Sequence, residues 1–390
     1  MRTLYTARRL YTPLDEISKP LLAVEDGRIT AISSRTSTPV AGDDRLVDFG
    51  DAVIVPGYFD IHIHGGAGVD SMRADPSDLP RLGRFLAEHG VTEYFPTTVA
   101  APLDTICTAL DRLADAIENA QQPAINPDIA QARPVGIHLE GPFLSHKRRG
   151  VHPPEFLAQP TVALFDRLCQ AARGHVRMLT IAPEMPGAMD VIAEAARRKV
   201  CVSIGHSDAD LSTAQKAVSA GARHATHTFN AMRPLDHRDP GIIAEVLTDD
   251  SITADIIADG IHVAPPVVKL FLQAKGVDRA VLITDAISAT GMPDGQYQLG
   301  PIQVEVKDGK CTSNGSLAGS VLTMDRAVRN VTKFSNWSLH HAVRAASLNP
   351  AVAVGLSSDF GTLSVGGAAS FTVLKPSGEV VRTVVAGSGA

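Results

Sequence analysis

Eight short β-rich runs, most of them separated by helical spacing, constrain this chain more than any other feature. The runs fall near residues 59–64, 91–98, 134–140, 176–182, 200–206, 222–228, 252–257 and 279–285. Between the first two, Ser77–His89 places Leu79, Leu82, Phe85 and Leu86 on one helical face, and Gly90 follows as a stop. Leu103–Ala120, Pro154–Ala172, Ala188–Arg198 and Asp208–Ala220 also carry helical spacing or propensity. Strand–helix alternation of this kind predicts an α/β fold, a parallel (β/α)8 TIM-like barrel. A doubly wound open sheet is the alternative, but eight strands would then need two edges and a switch point. Dense Gly and Pro after residue 286 predict a long, irregular connection behind the last strand.

The two ends read differently from the middle. Pro20–Ser33 sets apolar runs on either side of Glu25-Asp26-Gly27-Arg28, a hairpin signal because Asp-Gly tolerates positive φ. Ser370–Leu374 and Glu379–Val385 are β-rich runs around Pro376-Ser377-Gly378. Neither end could bury a sheet face alone. Both are therefore expected to build one small β-sandwich domain, from residues 1–54 and 356–390, around a barrel domain of residues 55–355.

Composition narrows the partners. The net charge is −6 with no long basic block, which argues against nucleic acid. No apolar run approaches membrane-spanning length, and the arginine-broken N-terminus lacks a signal-peptide core. Cys107, Cys169, Cys201 and Cys311 are scattered, with no Cys-x-x-Cys pair, as expected of buried thiols in a reducing compartment. A cytoplasmic protein is expected.

Polar residues recur at the ends of the β-rich runs. His62 and His64 end the first, His138 and Glu140 the third, His206 the fifth, His227 the sixth and Asp285 the eighth. Residues i and i+2 of a strand share a face, so His62 pairs with His64 and His138 with Glu140. In a barrel, strand C-termini converge on one mouth, where active sites lie. Singly, each residue has a bland explanation: a chance His-x-His, a Glu140 salt bridge, Asp285 as a helix N-cap. Together they would require independent coincidences at one end of the fold. The set holds imidazole and carboxylate but no thiolate, which suits Zn²⁺, Fe²⁺ or Mn²⁺. Such ions lower the pKa of bound water, and a nearby carboxylate can then move protons. His138 is not needed as a further ligand and reads equally well as a packing or supporting residue.

The His-x-His after a first strand, later strand-end histidines and a terminal Asp resemble the amidohydrolase superfamily. Ser347-Leu-Asn-Pro-Ala, Gly355-Leu, Gly361-Thr-Leu and Phe371-Thr-Val-Leu are similar to that superfamily's small β domain, although Ser370 stands where Asp is common. Within the superfamily, six motifs resemble the N-acetylglucosamine-6-phosphate deacetylases and span nearly the whole barrel in that family's order. They are His138-Leu-Glu-Gly-Pro-Phe, Ile204-Gly-His-Ser, Thr226-His-Thr-Phe-Asn-Ala-Met, Asp259-Gly-Ile-His, Thr284-Asp-Ala and Leu317-Ala-Gly-Ser.

The resemblance implies hydrolysis of the acetamide of N-acetyl-D-glucosamine 6-phosphate to D-glucosamine 6-phosphate and acetate by metal-activated hydroxide. It implies Glu140, His206 and His227 as principal metal ligands, with His62 and His64 at a second metal position close to Asp285. Two divalent ions per chain are expected, Zn²⁺ first and Fe²⁺ or Mn²⁺ as alternatives. Asp285 matches the catalytic base and acid. His262, His152, Asn230 and Ala231 match substrate-binding positions. Arg238 matches an arginine that reaches a neighbouring subunit's phosphate, which implies a homodimer. The run Lys147-Arg148-Arg149 is either a solvated loop or a mobile cationic lid. Competing readings are a cyclic amidase, an N-acyl-amino-acid deacetylase, a non-catalytic scaffold and a sugar-phosphate-binding regulator. No lysine sits where cyclic amidases place a carboxylated one, and no ligand position is lost.

Overall fold

The computed structural model describes residues 2–12, 15–35, 44–121 and 128–389. The barrel strands are β1 (Tyr58–Ile63), β2 (Val91–Pro96), β3 (Ile137–Glu140), β4 (Val176–Ile181), β5 (Cys201–Ile204), β6 (His224–Ala225), β7 (Thr253–Ile257) and β8 (Ala280–Ile283). β3 to β8 pair in parallel, each with the next, and β1 pairs in parallel with β2. Backbone bonds close the ring at both seams. The amide of Thr98 donates to His138 O at 3.0 Å, and the amide of Asp285 donates to His62 O at 3.0 Å.

Each strand is followed by a helix that covers it: α1 (Leu79–Glu88), α2 (Leu103–Asn119), α3 (Val162–Ala171), α4 (Ala188–Arg197), α5 (Leu211–Ala220), α6 (Gly241–Thr248), α7 (Pro265–Arg279) and α8 (Met324–Phe334). α1 forms where its spacing predicts, burying Leu79, Leu82 and Leu86. The main core lies between strands and helices and includes Phe59, Phe95, Leu110, Phe165 and Phe271.

Pro154–Ala172 is not one helix. A 3₁₀ turn at Pro154–Phe156 is followed by extended chain, and α3 starts only at Val162, capped by Thr161. Pro160 explains the break, because the residue before a proline is driven out of the helical region. The stretch behind β8 is not irregular either. It is an antiparallel meander of Gly295–Leu299, Ile302–Lys307, Lys310–Ser313 and Ser316–Leu317. Its signals are local: Ile302–Lys307 alternates buried and exposed, and Asp308-Gly309 and Asn314-Gly315 are two-residue hairpin turns at positive φ.

The chain ends meet in a β-sandwich beside the barrel. One sheet runs in the order Arg28–Ser34, Pro20–Glu25, Thr3–Thr6, Arg45–Asp48. The other joins Val53–Pro56 to the C-terminal strands Phe371–Leu374 and Val380–Val384. The expected hairpin turns at Asp26 and Gly27, both at positive φ. Tyr5, Leu10, Leu22, Ile54, Phe371 and Val373 pack between the sheets. Among the described residues, no helix is long and apolar enough to cross a membrane.

Candidate metal centre

The strand ends deliver the side chains with a regular offset. Glu140 closes β3, while His206, His227 and Asp285 each lie two residues past the end of β5, β6 and β8. His62 is inside β1 and His64 just beyond it. All six are buried. His206, His227 and Asp285 adopt φ of +47°, +30° and +49°. Left-handed backbone at a non-glycine residue is strained and persists only where surroundings enforce it. Here they do. Asp255 accepts the His227 amide, the amide of Ser145 donates to His206 O at 3.0 Å, and that of Ser320 donates to Asp285 O at 2.7 Å.

Glu140 belongs to one triad of donor atoms and reaches a second. In the first, Glu140 Oε1 lies 3.1 Å from His206 Nε2 and 3.0 Å from His227 Nε2, and those nitrogens are 3.1 Å apart. In the second, His62 Nε2 and His64 Nε2 are 3.2 Å apart, and Asp285 Oδ1 lies 3.6 Å and 3.2 Å from them. Glu140 also reaches this group, with Oε2 3.2 Å from His64 Nε2 and Oε1 3.6 Å from His62 Nε2. Ligands bonded at roughly 2.0–2.2 Å to one ion stand about 3.0–3.5 Å apart, so both triads have suitable spacing.

Ring chemistry supports the same reading. Two neutral imidazoles cannot satisfy each other when both facing nitrogens are lone pairs. His206 Nδ1 donates to Arg148 O at 2.9 Å and His64 Nδ1 to Thr97 O at 3.2 Å, so in the neutral ring, the form that binds a cation, each Nε2 is a lone pair facing its group. The carboxylates draw positive charge inward. Burial lowers the His64 ring, but Asp285 and Glu140 outweigh it and raise it to about 10. His227 rises to about 9 by the same contest with Glu140. On His206 burial wins and lowers it to about 4. Burial would raise the Asp285 carboxyl, but His64 and His62 hold it below its ordinary value. This is a cluster that can hold divalent cations.

The remaining expected residues separate. His138 bonds Ile61 O at 3.2 Å and Thr180 Oγ1 at 2.7 Å, so both ring nitrogens are used in support of the barrel interior. His152, expected on the substrate side, has Nε2 only 3.6 Å from Glu140 Oε2. Its Nδ1 accepts the Ala100 amide at 3.1 Å, so in the neutral ring Nε2 carries the proton and faces Glu140 as a donor. His152, Asn230, Ala231 and His262 line one cavity of about 200 Å³ with Glu140 and Asp285. His262 Nδ1 is held by Asp259 at 2.7 Å. Leu299 and Leu317 of the meander form part of the wall. Arg238 lies outside the cavity and is exposed. A larger groove of about 820 Å³ beside the meander contains none of the cluster.

Several supporting residues escape a reading of strand-end histidines. Asp60 takes the amides of His62 and Thr284 at 3.3 Å each and the Thr284 hydroxyl at 2.5 Å, bracing β1 against β8. His224 donates to Asp255 at 2.9 Å, beneath His227. Asp60 was findable, since it shares the strand face of His62. Asp255 was not, because nothing local links residue 255 to residue 227.

The amidohydrolase family profile matches residues 53–388. The chain is 35% identical to the N-acetylglucosamine-6-phosphate deacetylase of Bacillus subtilis (strain 168), over 97% of this chain and 94% of that protein. It is 37% identical to the N-acetylgalactosamine-6-phosphate deacetylase of Escherichia coli O157:H7, over 94% of both. A solved mutant of the N-acetyl-D-glucosamine-6-phosphate deacetylase of Mycobacterium smegmatis, in complex with N-acetyl-D-glucosamine-6-phosphate, superposes with a TM-score of 0.92 at 34% identity, covering 99% of this chain and 98% of that one. On a barrel closed around this cluster, and over nearly its whole length, the chain belongs to the amidohydrolase family.

Proposed function

We propose that this protein hydrolyses the acetamide of N-acetyl-D-glucosamine 6-phosphate, taking up water and releasing acetate and D-glucosamine 6-phosphate. The observation that carries this reading is Glu140 standing between two triads, with Asp285 in one of them and on the cavity wall. Glu140, His206 and His227 would hold one divalent cation, and His62 and His64 with Asp285 a second. Zn²⁺ fits this donor set best, with Fe²⁺ and Mn²⁺ as alternatives. Bound cations supply Lewis acidity and lower the pKa of water.

The chain's own residues account for the rest. Asp285, held below its ordinary carboxyl range, is ionised at neutral pH and takes a proton from the attacking water. It returns that proton to the nitrogen as the C–N bond breaks, because an unprotonated amine leaves poorly. His262, fixed through Nδ1 by Asp259, offers its other nitrogen to the carbonyl oxygen as charge develops there. Asn230 and Ala231 meet the phosphate end, and Arg238 of a second copy completes it in a homodimer. The cytoplasm is the compartment consistent with four free cysteines.

The Escherichia coli relative favours a second reading, the galactosamine epimer. An acetate-release assay with both phosphorylated N-acetylhexosamines, free N-acetylglucosamine, a hydantoin and an acetylated amino acid, each with defined metal, tests all of these. Release from the glucosamine phosphate above the others supports the proposal. Binding of phosphorylated sugars without acetate release defeats it.

A further inference from the structure

The basic segment after β3 is seated on a histidine of the cluster; it is not a free cationic lid. The amide of Ser145 donates to His206 O at 3.0 Å, and His206 Nδ1 donates to Arg148 O at 2.9 Å. The same segment carries His152, whose Nε2 lies 3.6 Å from Glu140. What fastens the seat is Asp208, two residues past His206. Its Oδ1 accepts Arg148 Nε at 2.7 Å, and its Oδ2 pairs with Lys147 Nζ. Asp208 is itself fixed: its amide donates to Glu184 Oε1 at 2.6 Å, and the neighbouring Ser207 hydroxyl donates to Glu184 Oε2 at 2.7 Å. The Asp208 side chain is only 15% exposed and faces both cations, so it is more than a casual surface ion pair.

This arrangement forms a closed loop of contacts. β5 ends in His206, the chain continues to Asp208, Asp208 holds Lys147 and Arg148, and the Arg148 carbonyl returns to the His206 ring. A neutral imidazole carries one N–H. Holding it at Nδ1 leaves the Nε2 lone pair toward Glu140 and His227. The Arg148 carbonyl stays in place only while residues 145–149 do. Here the two ion pairs to Asp208 and the Ser145 amide hold that segment.

We propose that Asp208 is a positioning residue for the metal centre: by holding Lys147 and Arg148 it keeps the Arg148 carbonyl on Nδ1 of His206, and so fixes the orientation and tautomer of that ring. The proposal rests on Glu140, His206 and His227 forming a cation site. Outer partners of ligand histidines typically contribute about 10- to 100-fold in metal affinity.

The test uses the full-length protein and the variants Asp208→Asn, Asp208→Glu and the double variant Lys147→Ala/Arg148→Ala. Zn²⁺ affinity is measured by competition with a chromophoric chelator, ring geometry by the visible absorption spectrum of the Co²⁺-loaded protein, and segment opening by hydrogen exchange across residues 145–152. Asp208→Asn and the double variant should each bind Zn²⁺ about 10- to 100-fold more weakly, alter the Co²⁺ spectrum and lose protection at 145–152. Asp208→Glu should recover part of all three. Parent-like affinity and spectrum in a folded Asp208→Asn overturn the proposal. So does loss in that variant alone, since the clamp requires both sides. If Asp208→Asn does not fold, the double variant decides, because Lys147 is exposed and Arg148 half-buried. Failure of the parent to bind Zn²⁺ would instead refute the underlying metal-site reading.

Discussion

His64 Nε2 lies 3.2 Å from Asp285 Oδ1, across the seam where the first and last barrel strands close. The contact joins a metal-ligand candidate to the proposed proton carrier. The same seam is braced from below by Asp60, which binds the amides of both strand ends.

Replacing Asp285 by Asn keeps the shape and an oxygen donor but removes the basic carboxylate. Turnover should fall by about 10²- to 10⁴-fold, while the ion held by Glu140, His206 and His227 remains. Steady-state kinetics with elemental analysis on the same sample checks this. Near-parent turnover would reject Asp285 as the base.

His62 and His64 belong to one triad only, so their joint replacement by Ala should lower the bound metal from two ions per chain to one. Elemental analysis after mild loading gives the count. A parent protein that saturates at a single ion rules out the two-ion site.

Arg238 is exposed and stands outside the cavity of its own chain. If it serves a neighbouring subunit's phosphate, Arg238→Ala should reduce the preference for phosphorylated over free N-acetylglucosamine, read as the ratio of their kcat/KM values. An unchanged ratio refutes that role.

Asp325 links α8 to the end of α1. His89 Nδ1 meets Oδ1 at 3.1 Å, and Arg329 meets Oδ2 at 2.7 Å. Burial would raise its carboxyl, but His89, Thr323 and Arg329 together hold it well below its ordinary value. The folded state therefore binds this proton less readily than the unfolded chain. The resulting stability is complete above about pH 4 and is lost as pH falls through the lower folded value. Asp325→Asn should cost about 1.5–3 kcal/mol at pH 7 in urea unfolding, and its deficit should shrink below about pH 4. A deficit independent of pH would contradict the ion-pair explanation.

Gly90 ends the turn after α1 at φ +85°, and a Cβ there would sit 2.6 Å from the ring of Tyr58, a fully buried residue of β1. Gly90→Ala meets both backbone strain and a rigid ring, and should cost about 1–3 kcal/mol. Thermal denaturation of the variant checks this, and an unshifted midpoint would show that the barrel floor yields more easily than its packing implies.

The local signals were legible where one period or one turn decides the outcome. α1 follows from Leu79, Leu82 and Leu86, and the N-terminal hairpin from Asp26-Gly27. The meander was equally local, through Asp308-Gly309 and Asn314-Gly315, but density of Gly and Pro masked its alternation. Pro160 shortened a helix that propensity alone would have continued.

The sequence by itself determined the order of strands and helices and the six strand-end side chains that converge, because those depend on periodicity and on parallel strands ending at one mouth. Only the tertiary structure decided what surrounds and holds each of them. Glu140 stands between two groups, His152 turns a proton toward it, Asp255 supports His227, and Asp208 ties the basic segment down onto His206. Those contacts depend on barrel closure, on left-handed backbone at three strand ends and on side-chain rotamers. Such features arise between residues tens of positions apart, where no local pattern records them.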